Sequence, residues 1–396
     1  MYQSKKFSFL KNPVAFLFVI AACFPWVSFG TNEMDMQPWA FIIGALYLLY
    51  IKRIDISPNY IEAFSIMLVG LFITILVSNS YGFLAFRAIY NFISIFLFYS
   101  IFLGLFRKYD LVKVFITVSY VWFVGAFIEL IDPSIMEIFG KIRTSDDRGV
   151  TSFAPEPSFY GANIIFLSIL IIVLSDFNFK KNKNLLIINM VSLVALAKSP
   201  IGISYLLVIC FVIVLFHLLR LRPTKTGIKL FFIFLLLTFS TIFLYFTLDI
   251  DNRIFYLLGK VLTGAPLELF RLDASINERL AHIVFSIYGS FSNFLLPNGI
   301  DTFSETRILL EPEFNDYFWY SMNTDKIMSW YGDWLFTLGI FGFLSLFLLL
   351  RPIILGDRRM VWTFIGISII LLSAIPLAYP IVPALFAALQ SRRYRQ

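Results

Sequence analysis

An all-α polytopic membrane protein is the fold class this sequence predicts, and three observations predict it. Hydrophobic residues make up 59% of the 396-residue chain and charged residues only 14%, whereas a soluble domain carries about 25% charged residues. The apolar residues gather into runs about as long as a ~30 Å hydrocarbon layer requires. The basic residues stand at the ends of those runs, as topology signals do. A net charge of +7 would otherwise suit nucleic acid. Here Lys and Arg form no patch with interleaved aromatics, so nucleic acid is excluded as a partner and the lipid bilayer is the expected surrounding.

The apolar runs lie near 13–30, 39–51, 60–78, 83–106, 111–131, 159–175, 185–199, 201–219, 228–248, 332–350 and 361–391. In the first, "VIAACF" has the look of a lipoprotein cleavage box, but apolar sequence continues past Cys23, so 13–30 reads as a membrane helix. The last run exceeds one span and is interrupted by Pro376, Pro380 and Pro383, which predicts two short helices. The expected total is about twelve crossings, with eleven as the alternative.

A cytoplasmic N-terminus places 21 of the 32 basic residues on the cytoplasmic side. They cluster at Lys5, Lys6 and Lys11, Lys52 and Arg53, Arg107 to Lys113, Lys180 to Lys183, Arg220 to Lys229, Arg351 to Arg359, and Arg392 to Arg395. Both termini are then cytoplasmic. The loops on that side are short, and two long connections, 132–158 and 249–331, face outward. The second is partly helical by its pattern, and long loops of this kind usually carry function. The chain reads as a single integral domain over 1–396, without internal repeat, soluble domain or flexible linker. Cys23 and Cys210 lie in apolar runs with no zinc spacing or disulfide framework.

The chemistry concentrates on the outward side. In "RTSDDRGVTSFAPEPSFYG" (143–161), Pro155 and Pro157 stiffen the chain around Glu156. Ser158 is the expected N-cap of a helix that starts at Phe159. Glu156 is therefore either a general base on a rigid strut or a charge that complements the helix dipole. Arg143 and Arg148 flank Asp146 and Asp147, either as a self-paired cluster or as a fork for phosphate near a helix N-terminus. Lys198, in "LAKSPIGI", occupies a joint between two apolar runs, where it either snorkels or serves a site.

Within "NERLAHIVFSIYGSF", Leu280, Ile283, Val284 and Ile287 share one helical face and Arg279, His282 and Ser286 the other. That pattern predicts an amphipathic helix on the outer membrane surface, its polar face toward a cavity or toward water. Tyr160 and Arg87, the latter just inside the fourth helix, complete the candidate substrate contacts. "DID" at Asp249 and Asp251 has an acid-x-acid form that can hold a metal, a weak signal as a lone triplet. No nucleotide, haem, iron–sulfur or zinc-protease motif is present, so no cofactor and no metal are expected.

Together these features resemble the O-antigen polymerase and O-antigen ligase superfamily of bacterial inner-membrane glycosyltransferases. The resemblance rests on the helix number, "RGVTSFAPEPSFYGAN" entering a helix, the "LAKSPIG" joint, and "ASINERLAHIVFSIYGSF" leading to "LLPNGIDTF". It implies a metal-independent enzyme at the periplasmic face that takes an undecaprenyl-diphosphate-linked oligosaccharide as donor, with a chain-length regulator as a further partner. Carried over to this chain, Arg148 and Arg279 look like diphosphate or sugar contacts and Glu156 like the acid–base group. Lys198 stands where many members have arginine. Two departures stand out: "AKSP" replaces a Thr-x-Ser-Arg joint, and "NTDKIMSWYGDW" lacks the His–Asn pair of many ligases, which favours polymerase over ligase. A transporter of lipid-linked sugar is the alternative from another class; it would place charge deep in its helices and show two related halves.

Overall fold

The computed structural model describes residues 9, 12–28, 36–51, 57–78, 82–140, 142–143, 149–218, 274–314, 317–319 and 326–393, with 84, 200, 217, 218, 275 and 393 as backbone only. Fourteen α-helices follow in chain order among them. They are α1 (Pro13–Cys23), α2 (Trp39–Tyr50), α3 (Pro58–Val77), α4 (Phe83–Lys108), α5 (Val112–Ile131), α6 (Pro133–Glu137) and α7 (Pro157–Leu174), then α8 (Lys183–Val191), α9 (Pro200–Leu218), α10 (Ala274–Ser292), α11 (Phe303–Leu310), α12 (Trp330–Ile354), α13 (Arg358–Leu371) and α14 (Ile381–Arg393). No strand occurs among the described residues; an isolated antiparallel bridge joins Ser329 to Ala374.

Helices α3, α4, α5, α7 and α12 are long and apolar enough to cross a membrane, and α1, α2, α9 and the α8 region are shorter apolar helices. The chain is a helical membrane protein. The apolar run at 228–248, on which the count of twelve depends, lies outside the described residues.

Several boundaries follow directly from local chemistry. Helix α1 stops at Cys23, short of the expected residue 30, because Phe24 precedes Pro25 and leaves the helical region at φ −124°, ψ 59°. The 361–391 run divides into α13 and α14, with Pro376 and Pro380 in the break. Pro383 is accommodated in the first turn of α14, where a missing N–H costs nothing. The 185–199 run passes from α8 into a single π-turn, Ser192–Leu196, closed by Ala197 N donating to Ser192 O at 2.8 Å.

Residues 381–389 of α14 are apolar on every side, and such a segment must be buried. Ile381, Val382, Ala384, Leu385, Phe386, Ala387 and Leu389 are all fully enclosed, with α4 and α7 as the main neighbours. At its far end the Arg392 guanidinium pairs with Asp176 at 3.1 Å and lies 4.4 Å over the Phe177 ring. This fixes the C-terminal ends of α7 and α14 at the same end of the bundle.

Helix α12 is broken at Gly339 (φ 57°, ψ −136°). The segment 294–300 fills the break and satisfies the backbone groups it frees. Ile340 N donates to Leu295 O at 2.7 Å, and Asn298 donates to Phe336 O through its backbone N–H and its Nδ2, each at 3.1 Å. Helix α3 completes the junction: Thr74 Oγ1 donates to Thr337 O at 2.7 Å and Ser78 Oγ accepts from Ile300 N at 2.7 Å. Irregular backbone at membrane depth survives only when protein supplies such partners.

A Cβ on Gly339 would come within 2.3 Å of Leu295 O in a backbone conformation closed to L side chains. Gly339→Ala is expected to cost at least about 1–3 kcal/mol and to lower the melting temperature of the purified protein. Gly104→Ala, whose Cβ meets open space, leaves it unchanged in the same thermal scan.

Candidate functional site

The polar passage before α7 is held from both sides. Glu129, in the last turn of α5, is 5% exposed. Both of its carboxylate oxygens accept from Thr151 N at 2.9 Å, Oε1 also accepts from Thr151 Oγ1 at 3.0 Å, and Oε2 accepts from Ser152 N. Ser152 adopts φ 53° and its hydroxyl donates to Trp122 O at 2.8 Å. On the other side Val150 N donates to Leu196 O at 2.9 Å. Gly149 lies so close to the joint that a Cβ there would be 2.1 Å from Ala197 O. Gly125 provides the matching gap on α5, since a Cβ would meet Phe153 at 2.5 Å. Sequence reading assigned no role to Glu129; only a lone carboxylate near the end of an apolar run hinted at one.

Beyond this anchor Arg143 N donates to Pro155 O at 2.7 Å, and the chain enters α7 through the Pro-Glu-Pro strut. Helix α7 begins at Pro157, and Glu156 itself, extended at φ −143°, ψ 151°, occupies the N-cap position. The expected cap at Ser158 is therefore corrected: proline at the first helical position is preorganised for it, and Ser158 Oγ instead donates to Glu156 Oε2 at 3.1 Å. The Glu156 carboxylate makes no capping bond to the helix backbone and is half-buried, which leaves it available for chemistry.

Helix α10 presents the second wall, with its polar side turned inward. Asn277, His282, Ser286 and Ser290 are 0–1% exposed, while Tyr288 and Phe291 are exposed. The expectation of a His282 and Ser286 face open to a cavity or water is thus corrected. Next to lipid, polar groups find protein partners and apolar ones remain outside. Gly332 on α12 permits the contact, because a Cβ there would be 2.1 Å from Ser286 Oγ. Asn277 holds the loop ahead of α12, donating to Tyr317 O at 2.8 Å and accepting from Trp319 N at 3.2 Å. His282 stacks on Phe303 with ring centroids 5.1 Å apart, and its Nδ1 accepts from Met328 N at 3.4 Å. That bond assigns the ring proton to Nε2, a buried atom that has no partner.

Charges converge around these two walls. Burial pushes the Glu278 carboxyl up; the nearby Glu156 carboxylate adds to this, while the Arg279 and Arg307 guanidiniums oppose it. Glu278 Oε1 is buried and has no hydrogen-bond partner among the described residues. Arg307 on α11 is 6% exposed. It and Lys326 act on His282, whose imidazole is pushed down from 6.5 to about 4, first by burial and then by these two cations. Arg279 also lies within electrostatic reach of the Tyr205 hydroxyl on α9. Glu156, Arg279 and Arg307 thus lie within electrostatic reach of Glu278, and Arg307 and Lys326 within reach of His282.

The other predicted residues are placed variously. Tyr160 is buried and stacks on Trp122 with centroids 5.8 Å apart, a packing position. Lys198 is exposed, at φ 44° in the joint. The joint sits against the first turn of α7, since a Cβ on Gly161 would be 3.2 Å from Ser199 Cβ and 3.4 Å from Gly202 Cα. Arg143 is exposed on the strut. Arg87 lies within electrostatic reach of Asp333, which accepts from Thr337 Oγ1 at 2.9 Å, on the first turn of α12. Arg148, Asp146, Asp147, Asp249 and Asp251 lie outside the described residues. Among the described residues no group of three or more His, Cys, Asp and Glu side chains could hold a metal ion. Sequence reading missed Glu278, Arg307 and Lys326; the first is adjacent to Arg279, and the other two carried no signal beyond being cations in an outward loop.

Two measurements test this geometry. Glu129→Ala leaves the Thr151 and Ser152 donors without their acceptor and is expected to cost about 2–4 kcal/mol, read as a lower melting temperature, whereas Glu137→Ala on exposed α6 is silent. Because His282 is depressed when folded, its contribution to stability is present above pH 6.5 and is lost as pH falls from 6.5 through about 4. Melting temperature should fall over that window in the wild type, and His282→Gln should flatten the fall.

No family model, no curated protein and no solved structure matches the chain.

Proposed function

We propose that the chain is a glycosyltransferase of the O-antigen polymerase type, which transfers a glycan from undecaprenyl diphosphate to a hydroxyl of a second lipid-linked repeat unit at the periplasmic face of a bacterial inner membrane. One observation carries the reading: the Glu156 carboxylate and the Arg279 and Arg307 guanidiniums all lie within electrostatic reach of the Glu278 carboxyl. Sugar transfer from a diphosphate needs both kinds of group. A carboxylate takes the proton of the acceptor hydroxyl as its oxygen bonds to the anomeric carbon. The bond from that carbon to the diphosphate oxygen breaks, and the diphosphate leaves with the electron pair. Guanidiniums offset the charge that develops on it, an effect a low-dielectric rim strengthens.

Glu156 is the assigned base, because its strut fixes its position and it makes no capping bond to the helix. A second assignment, Glu278, is favoured by its raised affinity for a proton, since a carboxylate shifted toward neutral pH is the stronger base. Arg279 and Arg307 hold the diphosphate. The inverted α10, polar inward and apolar outward, suits a lipid-linked substrate that arrives from the bilayer.

The test is reconstitution of the purified protein with undecaprenyl-diphosphate-linked repeat units alone, without nucleotide sugar, metal or lipid A, resolved as a ladder on a gel. A ladder is expected, and chelator leaves it unchanged. Glu156→Gln is expected to lower the rate by about 10²–10⁴ with an unaltered melting temperature. If Glu278→Gln does so instead, the base is reassigned. No ladder from folded protein and verified substrate overturns the polymerase; addition of lipid A core or of sealed vesicles then separates a ligase from a transporter.

A further inference from the structure

At the opposite end of α7 from Glu156, three helices frame a second cavity. The C-terminal halves of α7 and α9 and the N-terminal half of α13 enclose about 300 Å³, at the small end of ligand-pocket volumes. Its α7 lining runs from Ile169 to Val173, which puts this cavity about 20–26 Å along the helix from Glu156. Val173, Val212, Phe216 and Ile367 give it apolar walls, and Arg359 and Trp362 lie on the first turns of α13. Gly366 keeps it open, for a Cβ there would make only ordinary contact with Val212 at 3.7 Å.

Among the described residues cations outnumber carboxylates around the cavity. Arg359 is exposed and makes no ion pair with a described residue. Lys180, Lys181, Lys183 and Arg358 are exposed at the same end. The local carboxylates are already engaged: Asp176 by Arg392 at 3.1 Å, and Asp357 as the cap of α13, accepting from Met360 N at 2.9 Å. A tryptophan and a surplus of cations at a helix end mark the level of lipid headgroups.

We propose that this cavity binds a phospholipid with an anionic headgroup, one acyl chain among Val173, Val212, Phe216 and Ile367 and the phosphate on Arg359. The apolar walls gain dispersion and burial only from an apolar occupant. Arginine presents a planar fork that matches phosphate, and basic pockets between membrane helices attract anionic lipids. The occupant belongs to the leaflet at the basic end of the bundle, so the site is separate from the Glu156 neighbourhood and does not depend on its chemistry.

The experiment uses the full-length protein, delipidated in detergent and equilibrated with vesicles of equal parts phosphatidylglycerol and phosphatidylcholine; retained lipid is then counted by native mass spectrometry. The wild type is expected to retain one lipid, with phosphatidylglycerol favoured about fivefold. Arg359→Ala abolishes that preference, and Arg358→Ala, outside the cavity lining, keeps it. Gly366→Phe fills the cavity and removes the retained lipid. Equal retention of the two lipids by the wild type overturns the proposal, as does an Arg359→Ala protein that still prefers phosphatidylglycerol. If Gly366→Phe folds and retains lipid like the wild type, the cavity is not where the lipid sits and the proposal falls; if it does not fold, the Arg359→Ala comparison decides.

Discussion

The buried carboxylate of Glu129 sets the position of the passage that leads into the N-terminal end of α7. It accepts from both Thr151 and Ser152, and hydrogen bonds to a charged group are each worth about 1.5–3 kcal/mol. In an apolar bundle no water competes for these donors, so the passage has one deep minimum. Ser152 relays the restraint to α5 through Trp122 O, and Val150 ties the same segment to the joint before α9. The Pro-Glu-Pro strut then transmits a fixed position to Glu156. A stiff strut is useful only if its base is held, and Glu129 holds it.

A similar economy governs α12. Its break at Gly339 exposes backbone groups that lipid could not satisfy, and 294–300 together with α3 supplies the partners. The loop that caps the break leads directly into α11, which carries Arg307 into the charged neighbourhood. Stability and site construction are thus coupled, since the contacts that make the broken helix tolerable also deliver a cation to the place where Glu278 and Arg279 meet Glu156.

The neighbourhood itself balances opposed tendencies. Burial pushes the Glu278 carboxyl up, while Arg279 and Arg307 pull it down. His282 goes the other way and stays neutral between two cations. Groups poised in this manner gather where proton transfer is required. Unsatisfied Glu278 Oε1 and His282 Nε2 have the character of contacts that a polar ligand completes.

The membrane class was legible in the chain alone, because long apolar runs with basic ends have no soluble solution. So was the stiffness around Glu156, since proline acts on its immediate neighbours, and so was the division of the last run at Pro376 and Pro380. The sequence also displayed the polar and apolar faces of α10, though not which way they turn. That direction was decided by tertiary structure: the apolar face suits lipid as well as a core, and Gly332 opposite Ser286 draws the polar side inward. Tertiary structure alone decided the roles of Glu129, Glu278, Arg307 and Lys326. Glu129 meets its partners 22 and 23 residues away, His282 meets Met328 46 residues away, and Ser78 meets Ile300 222 residues away. Local propensity acts over a helical turn or a turn residue, whereas pairings at such separations exist only once the helices have packed.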